Sequence, residues 1–129
     1  DLQNKDSVFK LIDDALMLGD NKAYNRVSAY YFIKDKAEDF LYTAIIMANK
    51  YNNSEACYHV YKILNSTRNQ DQLGKLDEQT KNFALFYLLK SYEMGYPQSK
   101  YEVGQIFKKG EIIPKSNHYL CVLVKKEQK

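Results

Sequence analysis

Tryptophan is absent from the 129 residues, and cysteine, histidine and proline occur twice each. Two cysteines, Cys57 and Cys121, are too few for a disulfide framework and have no zinc-ligand spacing. Two prolines and 5 glycines, with no low-complexity tract, exclude collagen-like and linker-like chains. No phosphate-binding glycine loop, nucleophile elbow or metal-binding helix motif occurs. No run approaches the ~18 apolar residues of a membrane span, so none is expected. The net charge of +3 is too mild to imply nucleic acid.

What is present is tyrosine: 12 of them beside 6 phenylalanines. Tyrosine joins apolar area to a polar tip, which suits both helix packing and contact surfaces. The length fits one domain with a modest core. Charge divides unevenly, with 8 basic and 9 acidic side chains in residues 1–64 against 11 and 7 in residues 65–129. The basic end (Lys108, Lys109, Lys115, Lys125, Lys126, Lys129) reads as a solvated lysine face, or as a preference for an acidic partner. The first residue, Asp1, is not methionine, so a periplasmic or secreted protein after signal-peptide removal is expected, with the cytoplasm as the alternative.

Residues 84–107 read as a helical hairpin. Ala84, Tyr87, Leu88 and Ser91 make a stripe at i, i+3, i+4, i+7. Gly95 stands where a helix C-terminus favours positive φ, and Pro97 where a following helix tolerates a missing N–H. The pattern recurs. Shifted back by 43 residues, Leu88 pairs with Ile45, Ser91 with Ala48, Gly95 with Asn52, Ser99 with Ala56, Tyr101 with Tyr58 and Val103 with Val60. A further shift of 33 reaches Ala15, Gly19, Ala23 and Val27 in the same slots.

In order, Asp6 or Ser7 caps a first helix to about Leu18, Gly19-Asp20-Asn21 turns the chain, and residues 22–33 return. A third helix runs from about Ala37 to Tyr51, and Asn52-Asn53-Ser54 leads, with Ser54 as N-cap, into residues 55–66. The polar stretch 67–76 is an inserted loop with room for extra helical turns. Asp77 opens the helix that carries Ala84. Gly110, Ile113 and Pro114 form a linker, and Ser116 caps a last helix. The repeats are therefore about 7–33, 37–66 and 77–109, with a partial repeat at 116–126 that covers the preceding apolar face.

Ala84, Tyr87-Leu88, Ser91, Gly95, Ser99, Tyr101, Val103-Gly104 and Gly110, followed by Ile113, Pro114, Ser116 and Leu120, resemble the Sel-one-like repeat, a branch of the tetratricopeptide-type solenoids. Serine replaces alanine at 91 and 99, and Ile112 and Ser116 replace the linker glycine and aspartate. The resemblance implies an all-α, right-handed α-α solenoid of three hairpins and a C-terminal capping helix. It also implies non-enzymatic binding on the concave face lined by the first helix of each hairpin, often in bacterial exported, signalling or host-contact proteins.

Catalysis has little to stand on. His118 and Cys121 lie at i and i+3 without a third ligand, so a surface histidine and a buried thiol are expected, with no metal or cofactor. A Cys57–Cys121 bridge would have to join separate repeats, so free thiols are expected. Asp13 and Asp14 diverge by about 100° on a helix and read as a solvated acidic face. The stretch SYEMGYPQSKYEV mixes lysine and tyrosine as a nucleic-acid binder would, but its tyrosines fall in core slots. The central first helices carry apolar residues where such a repeat is polar: Ile46 and Met47, Phe86 and Leu89, against Lys10, Asp13 and Asp14 in the first. Either a tightly curved stack buries these positions, or they form a partner-binding patch edged by Tyr42 and Tyr92. The function expected is protein–protein interaction without catalysis, as a scaffold or as a small immunity protein that neutralises a cognate toxin.

Overall fold

The computed structural model describes residues 5–67, 70–71 and 77–108. The fold is all-α. Helices α1 (Lys5–Leu18), α2 (Asn21–Ile33), α3 (Leu41–Tyr51), α4 (Ser54–Asn65), α5 (Glu78–Glu93) and α6 (Pro97–Lys108) follow one another, with a 3₁₀ turn at Ala37–Phe40 before α3. Helix α1 packs on α2 and α3, α3 on α4, α4 on α5, and α5 on α6. The expected terminal helix at 116–126 and Cys121 lie outside the described residues.

Three turns define the hairpins, and their backbones agree. Gly19, Asn52 and Gly95, matched by the sequence shifts, have φ of +67°, +50° and +87°. After Gly95 the closure is a Schellman motif: Tyr96 N–H donates to the Ser91 carbonyl and Gly95 N–H to that of Tyr92. The small residues at each crossing agree as well, since Ala15 and Ala23, Ala48 and Ala56, and Ser91 and Ser99 are all buried. Val27, Val60 and Val103 are buried in their common slot too. Small side chains at these slots let the two helices of a hairpin approach closely.

The caps differ from expectation in detail. Helix α1 begins at Lys5, which places Asp6 in its first turn, where a carboxylate opposes the positive end of the helix dipole. Asp20 Oδ1 accepts from the N–H groups of Lys22 and Ala23 at 2.9 and 3.2 Å. Asn53, rather than Ser54, caps α4: its Oδ1 accepts from Ala56 N–H at 2.8 Å, while its Nδ2 donates to Asn21 Oδ1 at 3.1 Å. One side chain thereby caps a helix and ties two turns together. Asp77 caps α5 through Thr80 N–H and Oγ1 at 2.9 and 2.8 Å. The stretch expected as a loop with helical turns instead opens with antiparallel pairing of β1 (Ser66–Thr67) with β2 (Gln70–Asp71). Ser66, assigned above to the preceding helix, belongs to that pairing, as a polar Ser-Thr pair gains little from helix.

Two apolar clusters share α4 as a wall. Ala56, Cys57, Val60 and Ile63 face the first cluster, with Ala15, Tyr24, Val27, Phe40, Ala44, Met47 and Tyr87. Tyr58 and Tyr61 face the second, with Ala84, Leu85, Leu88, Leu89, Val103 and Ile106. Each such aliphatic side chain contributes roughly 1.5–3 kcal/mol on burial. Aromatic rings line the seams: Phe40 lies 5.3 Å from Tyr24 and 5.4 Å from Tyr31, and Tyr58 lies 5.2 Å from Tyr96.

Candidate protein-binding surface

The first helices of the hairpins, α1, α3 and α5, place large aromatic side chains in solvent. Phe9 is 57% exposed, Tyr42 73%, Phe83 42% and Phe86 45%. On α5 the arrangement has a clear cause. Tyr87 is buried, and its hydroxyl donates to Asn49 Oδ1 of α3 at 2.8 Å. Phe83 and Phe86 meet its ring edge-on, at 5.1 Å and 72° and at 5.2 Å and 89°. A buried tyrosine anchored to the neighbouring hairpin thus braces two phenylalanines that remain open to solvent. Edge-to-face pairs add about 0.5–1.5 kcal/mol beyond area, so the pair is held in place.

The six residues expected at this surface separate into three groups. Tyr42 and Phe86 are exposed, and half-buried Ile46 follows Tyr42 by one helical turn on the same side of α3. Met47 and Leu89, at 0% and 1% exposure, are core residues and offer nothing to a partner in this conformation. They are buried because α3 is covered by α1 and α4, and α5 by α4 and α6. Tyr92 sits elsewhere. It lines a depression of about 330 Å³ with Glu93, Gly95, Tyr96, Pro97 and Lys100 at the α5–α6 turn, about 120° around α5 from Phe86.

Two exposed aromatic residues of the first helices escaped the sequence reading. Phe83 precedes the leading slot of its repeat, and Phe9 falls in an apolar slot that Leu85 fills as a core residue. The signal for Phe83 was its i, i+3 spacing to Phe86. Tyr101 corrects the reading in the other direction: placed in a core slot by analogy with Tyr58, it is exposed on α6.

His59 of α4 is a largely buried and strongly perturbed titratable group. Its Nδ1 lies 2.7 Å from the Tyr24 hydroxyl and its Nε2 3.8 Å from Glu55 Oε2. Its ring stacks 5.7 Å from that of Tyr24 and lies tilted, at 45°, 4.9 Å from that of Phe32. Burial holds the imidazole down at about 4, and raises the Tyr24 phenol and the Glu55 carboxyl above their ordinary values. Cys57 is a buried free thiol pushed up to about 11 by desolvation, the reverse of an activated nucleophile. His118 lies outside the described residues, so the His118–Cys121 pair has no structural description. Among the described residues no group of three His, Cys, Asp or Glu side chains is arranged to hold a metal, and no helix is long and apolar enough to cross a membrane.

Comparison of the chain with protein-family models, with curated proteins and with solved structures finds no match.

Proposed function

We propose that this chain is a non-enzymatic protein-interaction module of the Sel-one-like, tetratricopeptide-type solenoid kind, binding a protein or peptide across α1, α3 and α5. The observation that carries this reading is the placement of exposed aromatic side chains on all three first helices: Phe9, Tyr42, and the braced pair Phe83 and Phe86. Large apolar side chains held open to water carry a hydration cost that burial against a partner removes, and aromatic anchors of this kind dominate contact energetics. The solenoid component draws support from the equivalent turns, crossings and valines and from the sequential packing of the helices.

The experiment is affinity capture from the native organism with the wild-type chain, followed by direct binding measurement with the captured protein. Tyr42→Asp and Phe86→Asp change exposed positions and should fold, yet weaken binding at least tenfold. Retention of full affinity by both folded variants rejects the surface. Assay of the partner's own activity in the complex separates a scaffold, which leaves it active, from an inhibitor, which abolishes it.

A further inference from the structure

We infer that His59 is an acid-sensitive latch between the first two hairpins, so that protonating its imidazole releases α2 from α4. The histidine belongs to α4, but much of what encloses it comes from α2: the Tyr24 ring and hydroxyl on one side and the Phe32 ring on another. Its side chain is 12% exposed. Tyr24 is fully buried and touches Phe40 as well, so its hydroxyl has little freedom to turn towards water.

The groups at the two ring nitrogens set the tautomer. The Glu55 carboxylate on the Nε2 side favours the single ring proton of neutral imidazole on Nε2, which leaves Nδ1 to accept from the Tyr24 hydroxyl. A second proton enters at Nδ1. That nitrogen then becomes a donor facing a donor, and the Tyr24 hydroxyl must reverse its role within the core. The cation must also be held where little water reaches it.

Two features oppose the release. Glu55 offers a carboxylate at 3.8 Å, and the Tyr24 and Phe32 rings offer π-faces to a cation. Glu55 is itself one-third exposed and raised by desolvation, so it is a weak counter-ion, and cation–π attraction is worth about 0.5–2 kcal/mol. Desolvation of the imidazole outweighs both. The titratable groups that face the site are Tyr24 from α2, Glu55 from α4 itself and, through Glu55, Tyr96 from the α5–α6 turn. Cys57 of α4 lies within electrostatic reach of Tyr24, and Lys90 of α5 within reach of Cys57. None of these supplies a second carboxylate to the ring.

The release has a direction. Among the described residues the α1–α2 hairpin packs against α3–α4, which makes it the unit freed when the α2–α4 seam loosens. The α5–α6 hairpin, with its own cluster around Leu88 and Val103, stays closed.

The test is amide hydrogen exchange on the full chain at pH 7.5 and pH 4.5, corrected for the intrinsic effect of pH, for wild type and His59→Gln, with the His59 ring followed by NMR. Acidification should speed exchange in α1 and α2 roughly fiftyfold to a hundredfold more than in α5 and α6. Glutamine can still accept from Tyr24 but takes no proton, so the variant should lose that excess. An equal change in both hairpins, an excess that persists in His59→Gln, or a His59 ring that titrates at the ordinary histidine value would overturn the latch. The two wild-type readouts, regional exchange and ring titration, hold even if the glutamine variant fails to fold.

Discussion

Ser91 and Ser99 meet hydroxyl to hydroxyl in the fully buried crossing of α5 and α6, where the other two hairpins bring alanines together. Ser91 Oγ also lies 2.7 Å from the Leu88 carbonyl, to which it donates, so the Ser99 hydroxyl supplies the proton of the shared bond. Removing the Ser91 hydroxyl strands that of Ser99, whereas removing both recreates the alanine crossing. Ser91→Ala should therefore cost about 1–3 kcal/mol and the double change to alanine distinctly less than the sum of the singles. A double-mutant cycle by urea unfolding measures this, and strict additivity would contradict it.

The left-handed residues at the three hairpin turns, Gly19, Asn52 and Gly95, are not equally replaceable. A Cβ on Gly19 would stand 2.6 Å from Tyr51 Cδ1, whereas one on Gly95 meets nothing within 4 Å. The Tyr51 ring is fixed there by its hydroxyl, which donates to the Leu16 carbonyl at 2.7 Å. Gly95→Ala should cost the roughly 1–2 kcal/mol of a left-handed alanine, and Gly19→Ala more. Asn52→Gly should be neutral or slightly stabilising. Thermal unfolding gives the order.

Stability should fall on the acid side. The folded chain holds the His59 imidazole at about 4, below the 6.5 of the free group, so between these values the unfolded chain binds more protons. The histidine's contribution is fully present above about 6.5 and is lost as pH drops towards 4, with a ceiling of roughly 3 kcal/mol. Glu55 acts with the opposite sign: its raised value gives a contribution present at low pH and lost as pH rises through its folded value. His59→Gln should flatten the acid limb of the wild-type curve of urea midpoint against pH.

Cys57 should report opening rather than thiol chemistry. It is buried and its thiol is pushed up to about 11, so at pH 8 a thiol reagent should reach it only through unfolding. In a Cys121→Ser background, modification should be slow in water and accelerate with sub-denaturing urea. Rapid labelling of the native chain would contradict this burial.

The turns and the small-residue crossings were legible in the sequence because backbone geometry dictates them: a positive φ calls for glycine or asparagine, and a close crossing for alanine or serine. The choice between core and surface among apolar residues was not. Tyr42 is exposed and Thr43 buried on α3, yet their counterparts Leu85 and Phe86 on α5 reverse that pattern. The reversal follows from tertiary neighbours, since the large Tyr87 takes the slot of Ala44 and α5 packs between α4 and α6. The Tyr24–His59 pair joins residues 35 apart across two hairpins, and no local spacing announces it. Asn53 was passed over for Ser54 because both are good caps and only the turn geometry decides between them.

The central claim is that the first-helix aromatics form the working surface, and matched aspartate substitutions test it most directly. Binding of the captured partner should be measured for folded Tyr42→Asp and Phe86→Asp on the first helices, and for Tyr101→Asp on α6 as an exposed aromatic control. Met47 and Leu89 are unsuitable probes, because a charge placed there would unfold the core. Loss of at least tenfold in affinity at positions 42 and 86 with little change at 101 is the expected result. Full binding by Tyr42→Asp and Phe86→Asp, or loss confined to Tyr101→Asp, would contradict it.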